Sequence, residues 1–103
     1  SIAPDMGVWA MPKVYLDGTL VVNSAAMLAV IEMYLDDHIA LSRAEPGCEK
    51  FEVYPDANNP YHYIVSEIYE TEEAFAAHQA RAAASEWGQA TKMLERRYTK
   101  RIE

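Results

Sequence analysis

Cysteine is almost absent from this chain: Cys48 stands alone among 103 residues, so no intrachain disulfide can form. No cluster of Cys and His has metal-ligand spacing, and neither a metal nor a cofactor is assigned. One thiol fits a reducing compartment such as the cytoplasm. Basic residues are also scarce, with 9 Lys and Arg against 16 Asp and Glu and a formal net charge of −7. That balance repels nucleic-acid phosphates and anionic membrane surfaces, and no basic stripe interrupts it. No nucleic-acid partner is therefore expected. Long apolar runs are missing as well: none approaches the roughly 18–20 residues needed to cross a bilayer, so no membrane partner is expected either. Residues 1–10 lack the basic start and apolar centre of a signal peptide. Met11-Pro12-Lys13 follows them as a second candidate start. Residues 1–10 therefore read as an N-terminal arm or an expression remnant, and residues 11–103 as one domain.

What the chain does have is apolar surface. Half of its residues are hydrophobic, which places it among globular proteins and outside the disordered class. A domain of this size buries only about 60–65% of the surface its unfolded chain exposes, so burial between subunits would add to its stability.

Periodicity predicts the elements. Val14, Leu16, Leu20, Val21 and Val22 mark a strand over Lys13 to Val22. Asp17-Gly18 inside it signals either a tight hairpin or a bulge, and the short arms favour the bulge. Asn23 or Ser24 caps a helix running towards Ala44, with Leu28, Ile31, Leu35, His38 and Ser42 on one stripe. Pro46-Gly47 stops it. A strand over Glu49 to Tyr54 sets Phe51 and Val53 on one face, and Pro55 to Pro60 reads as a hairpin loop. The strand from Tyr61 to Tyr69 puts Tyr63, Val65, Glu67 and Tyr69 on one face and Ile64, Ser66 and Ile68 on the other. Apolar residues on both faces imply a cover on both sides. Thr71 caps a second helix through Ala84, Ser85 restarts it, and a last strand spans Arg97 to Ile102. The order β-α-β-β-α-β is ferredoxin-like α+β, with both helices on one sheet face.

Two stretches carry a resemblance. HIALSRAEPGCEKFEV, from His38 to Val53, resembles the helix end, Glu-Pro-Gly-Cys turn and second strand of the antibiotic biosynthesis monooxygenase family. IVSEIYETEEAFAAHQARAAASEW, from Ile64 to Trp87, is similar to its third strand and second helix, with Glu-x-aromatic, an acidic turn and Phe-x-x-His. The resemblance covers roughly Lys13 to Tyr98. It implies a homodimeric α/β barrel in which two protomers pack sheet against sheet, Ile64, Ser66 and Ile68 being candidates for that face. It also implies a functional range: oxygenases of aromatic polyketides and quinols without metal or flavin, haem-degrading relatives, and isomerases of small sugar derivatives. The chain departs from the haem-degrading pattern, because Tyr69 holds a strand position that is tryptophan there and the full asparagine, tryptophan and histidine set is not matched.

Cofactor-independent oxygenation needs a substrate that is readily deprotonated, a water-poor pocket, a general base and donors for the resulting anion. His38, on the inner stripe of the first helix, is one candidate base and equally reads as a core histidine. His78, one turn after Phe75, is the other, with a structural tether to backbone as its plainer role. Arg81 continues that face as a donor to an anionic or enolic oxygen, or else as an ion-pair partner. Glu67, if buried, gains a raised pKa and acid–base capacity. Tyr69 and Trp87 offer aromatic walls to a flat substrate, or fill the core. Cys48 reads as a small buried residue. The expected function is a cofactor-independent monooxygenase of a small aromatic, quinol-like or enolic substrate. A non-catalytic ligand-binding dimer and an isomerase of the same fold are the alternatives.

Overall fold

The computed structural model describes residues 11–103; the expected arm at 1–10 lies outside the described residues. The chain runs β1 (Val14–Val21), α1 (Ala25–Arg43), β2 (Cys48–Asp56), β3 (Asn59–Tyr69), α2 (Glu72–Ala84), α3 (Glu86–Thr91) and β4 (Glu95–Ile102). The strands form one sheet in the order β2-β3-β1-β4, and each neighbouring pair is antiparallel. This is the expected ferredoxin-like α+β layout, with α3 as the restarted end of the second helix.

Local chemistry sets the helix ends. Ser24 rather than Asn23 caps α1, its Oγ accepting from the Met27 N–H at 3.2 Å. Thr71 Oγ1 accepts from the Ala74 N–H at 3.0 Å, and Ser85 Oγ from the Gly88 N–H at 3.1 Å. Each cap satisfies an amide that has no partner within its helix. After α1 the chain turns at Gly47, whose φ of +83° lies in the left-handed region that glycine adopts without strain.

Alternation along the strands builds the core. Val14, Leu16 and Leu20 of β1, Phe51 and Val53 of β2, and Tyr63, Val65, Glu67 and Tyr69 of β3 are buried on the helix side. Ile31 and Leu35 of α1, Phe75 of α2, Trp87 of α3 and Leu94 close over them. Each fully buried Leu, Ile, Val or Phe contributes roughly 1.5–3 kcal/mol. On the opposite face Ile64, Ser66 and Ile68 are half-buried, as are Tyr15, Asp17, Thr19 and Val21. That face mixes apolar and polar groups: Ser66 Oγ donates to Asp17 Oδ1 at 2.9 Å, and Arg101 stands 3.6 Å from Asp17.

Three local expectations are corrected. Asp17-Gly18 forms neither hairpin nor bulge, since β1 pairs without a break from Val14↔Tyr69 to Val21↔His62. Gly18 serves instead for close approach: a Cβ there would lie 2.1 Å from the Arg97 carbonyl oxygen, at a φ of +155°. The register shifts fall in β2, between Cys48 and Lys50 and between Pro55 and Asp56. The loop expected over Pro55–Pro60 shrinks to the turn at Ala57-Asn58, where Asp56 Oδ1 accepts from the Asn58 N–H at 2.8 Å. Turn-forming residues there extend the hairpin because an aspartate side chain replaces loop backbone as the acceptor. β4 begins at Glu95, not Arg97, because Glu95 and Arg96 already pair with Val21 and Leu20.

Candidate functional site

Between the helix side of the sheet and the helices lies a cavity of about 470 Å³. Leu16, Leu20, Val53 and Val65 supply its apolar sheet wall, and Phe51, Trp87 and Tyr98 its aromatic part. Glu67 enters this wall because the two-residue period of β3 places it in line with Val65. His38 enters because it stands one turn after Leu35 on the inner stripe of α1. His78 does so one turn after Phe75 on α2.

Glu67 is 5% exposed. Burial pushes its pKa up to about 7, against the opposing pull of the Tyr69 hydroxyl, which donates to Glu67 Oε1 at 2.6 Å. Burial, with the nearby Glu67 charge next, raises the Tyr69 phenol pKa far above its usual range, so Tyr69 remains a donor. His78 is also buried. Its Nδ1 lies 2.7 Å from Glu45 Oε1. A carboxylate only accepts, so Nδ1 carries the proton and the lone pair of the neutral ring sits on Nε2. That Nε2 is 3.9 Å from Glu67 Oε1. Burial lowers the His78 pKa, although Glu45 pulls the other way. Burial favours the neutral form of each, so the two groups are not a fixed ion pair; they face each other on one wall.

His38 stacks on Trp87, with ring centres 4.8 Å apart and planes 10° from parallel, and meets Phe51 edge-on at 5.3 Å. Its pKa falls to about 3, through burial first and then through His78, which keeps the ring neutral. Nδ1 is buried without a hydrogen-bond partner.

Of the residues the sequence singles out, His38, His78, Glu67 and Trp87 line this one cavity. Tyr69 stands behind Glu67 as its donor. Arg81 stands behind His78, bonded to Glu45 and to Ser42 Oγ, the latter at 3.0 Å, and is not among the lining residues. Cys48 is half-buried, its thiol pKa raised by burial first. The sequence reading does not single out Glu45, which orients His78 from the Glu-Pro-Gly-Cys turn. Tyr98, Lys92 and Arg96 also line the cavity and carry no periodic signal. Among the described residues no group of three or more His, Cys, Asp or Glu could hold a metal ion, and no helix is long and apolar enough to cross a membrane.

The fold is a ferredoxin-like α+β domain whose sheet holds a carboxyl group and two histidines against an aromatic-walled cavity. Residues 18–90 match the family described as antibiotic biosynthesis monooxygenase, and the chain belongs to that family. No curated protein matches in sequence. Among solved structures, a conserved Bacteroides thetaiotaomicron protein of unknown function superposes with a TM-score of 0.73 at 20% identity, over 89% of this chain and 98% of that one. Protein SO0527 from Shewanella oneidensis gives 0.70 at 17%, over 90% and 92%. SnoaB, a cofactor-independent oxygenase from Streptomyces nogalater, gives 0.68 at 15%, over 89% and 91%. At these identities the likeness establishes the fold.

Stability against pH tests the buried carboxyl. A glutamate whose folded pKa is raised favours the fold while protonated, and that contribution is lost as pH rises from the unfolded value of roughly 4.3 through about 7. His38 acts in the opposite window, its contribution being lost as pH falls from 6.5 towards 3. Glu67→Gln should therefore be more stable than the parent at pH 8, by about 2–3 kcal/mol, with the gain vanishing near pH 4. Urea denaturation at the two pH values measures it. A Glu67→Gln protein less stable than the parent at pH 8 would refute the assignment.

Proposed function

We propose that this chain is a cofactor-independent monooxygenase of a small aromatic, quinol-like or enolic substrate. The observation that carries the reading is the placement of Glu67 and His78 Nε2, 3.9 Å apart, on the wall of an aromatic-lined cavity. A base poised near neutrality and shielded from water is what an enolic O–H requires. Glu67, with its pKa near 7, is the better-tuned acceptor. His78 shares the proton, and Glu45 holds its tautomer. His38 is too weak a base for that step; its neutral ring, stacked on Trp87, walls the substrate and offers it a polar edge.

The chemistry balances without a bound group. The substrate's enolic proton passes to the Glu67–His78 pair, and the enolate gives one electron to dioxygen. The substrate radical and superoxide join at carbon, and the stored proton returns to make a hydroperoxide. Loss of water, taking the remaining hydrogen from that carbon, leaves a carbonyl. SnoaB, described as a cofactor-independent oxygenase, supports this class by fold.

Aerobic turnover of anthrone-like and quinol substrates, beside an oxygen-free control, tests the reading. The expected result is oxygen-dependent conversion that rises with pH through about 7 and falls by roughly 10²–10⁴-fold in Glu67→Gln. Conversion that persists without oxygen would establish an isomerase instead; ligand binding with no conversion would leave a binding module.

The same reading pairs the open sheet face with a second copy, and the lone Cys48 fits a reducing cytoplasm. Half-buried Ile64, Ile68, Val21 and Tyr15, with Tyr54 48% exposed beside them, support the pairing. Sedimentation equilibrium should give twice the mass of the 11.6 kDa chain, and Ile68→Asp should halve it. A parent protein that sediments as a protomer at micromolar concentration would exclude this dimer.

A further inference from the structure

Cations are few in this acidic chain, and their distribution is uneven. Six of the nine pair with carboxylates: Lys13, Lys50, Arg81, Arg97, Lys100 and Arg101. Arg43 is turned to the Phe51 carbonyl oxygen at 3.0 Å. Among the described residues, Lys92 and Arg96 have no carboxylate within 4.0 Å, and both line the same cavity. With 16 acidic residues in the sequence, two neighbouring cations with no carboxylate partner among the described residues, both lining one cavity, mark a place prepared for negative charge.

Arg96 is also held in place. Nη1 donates to the Thr91 carbonyl at 2.9 Å and the Leu94 carbonyl at 3.3 Å, and Nη2 to Thr91 Oγ1 at 2.9 Å. These bonds fix the guanidinium before any ligand arrives, which lowers the entropy lost on binding. Its charge is felt across the cavity, lowering the pKa of both Glu67 and His38. Both cations sit on exposed residues, so they stand at the opening while Glu67 and His78 lie inside.

We propose that the molecule taken by this cavity is an aromatic or enolic carboxylate, whose anionic group is received by Lys92 and Arg96 at the mouth. The inference rests on the proposed substrate site and adds its charge and orientation. The apolar ring enters against Leu20 and Val65. The reacting hydroxyl faces Glu67, and a carboxylate at the other end stays outward, because the inner end already holds a carboxyl group. Arg–carboxylate recognition is directional, so the same pair sets which carbon meets the base.

Calorimetric titration of the full chain at pH 7.5 with 5-hydroxynaphthalene-1-carboxylate and with 1-naphthol tests this. The carboxylate should bind about tenfold more tightly or better. The preference should shrink in roughly 0.5 M salt. Lys92→Glu, at an exposed position, should abolish the preference, and Arg96→Lys should reduce it. Equal affinity for the two probes, or a preference that survives Lys92→Glu, overturns the inference and leaves the neutral-substrate reading standing. Binding of neither probe overturns both. A carboxylate preference without oxygen consumption by any carboxylated quinol upholds the inference and removes the oxygenase reading.

Discussion

A carboxyl group buried in an apolar wall is the constraint around which this domain is organised. Glu67 occupies a strand position that hydrophobic residues hold on either side, and it survives there because Tyr69 donates to it at 2.6 Å. Desolvation favours its protonated form, so the same burial that costs stability at alkaline pH produces a group that exchanges protons near neutrality. Remove the burial and an ordinary surface glutamate remains, with nothing to distinguish the cavity from a packing defect.

The fold supplies what that carboxyl needs. Antiparallel pairing of β3 between β2 and β1 keeps Glu67 at the centre of the sheet, away from its edges. α2 lays His78 over it, and the turn after α1 brings Glu45 to the far side of the same ring. Arg81, itself anchored to Ser42 Oγ, holds Glu45 in turn. A row of side chains from three elements therefore fixes one imidazole tautomer, a positional precision that a single hydrogen bond would not give. His38, its ring centre 6.0 Å from that of His78, and Trp87 extend the same wall, where stacking rather than hydrogen bonding sets the geometry.

Much of this was legible in the residues. The face assignment of β3 followed from alternation, and the burial of Tyr63, Val65, Glu67 and Tyr69 against half-buried Ile64, Ser66 and Ile68 agrees with it. The inner stripe of α1 placed His38 and Ser42 correctly for the same periodic reason. What alternation does not encode is partnership across elements. Helical spacing after His78 leaves Arg81 as either a donor to substrate or an ion-pair partner, and a carboxylate 36 residues away in sequence decides for the ion pair. Gly18 reads as a bulge because its dipeptide is a turn signal, while the deciding contact is with the carbonyl of Arg97 on the last strand of the chain. Lys92 follows the end of α3, and Arg96 lies at the start of β4, a strand too exposed and charged for hydrophobic alternation to point at a cavity.

The carbon-13 chemical shift of the Glu67 side-chain carboxyl, followed by NMR across pH 3 to 9, tests the central claim most directly. A titration midpoint near 7 is the result this account predicts. A midpoint at the ordinary glutamate value of about 4.3 would contradict it, because the carboxyl would then be solvated and the cavity would hold no base tuned to neutral pH.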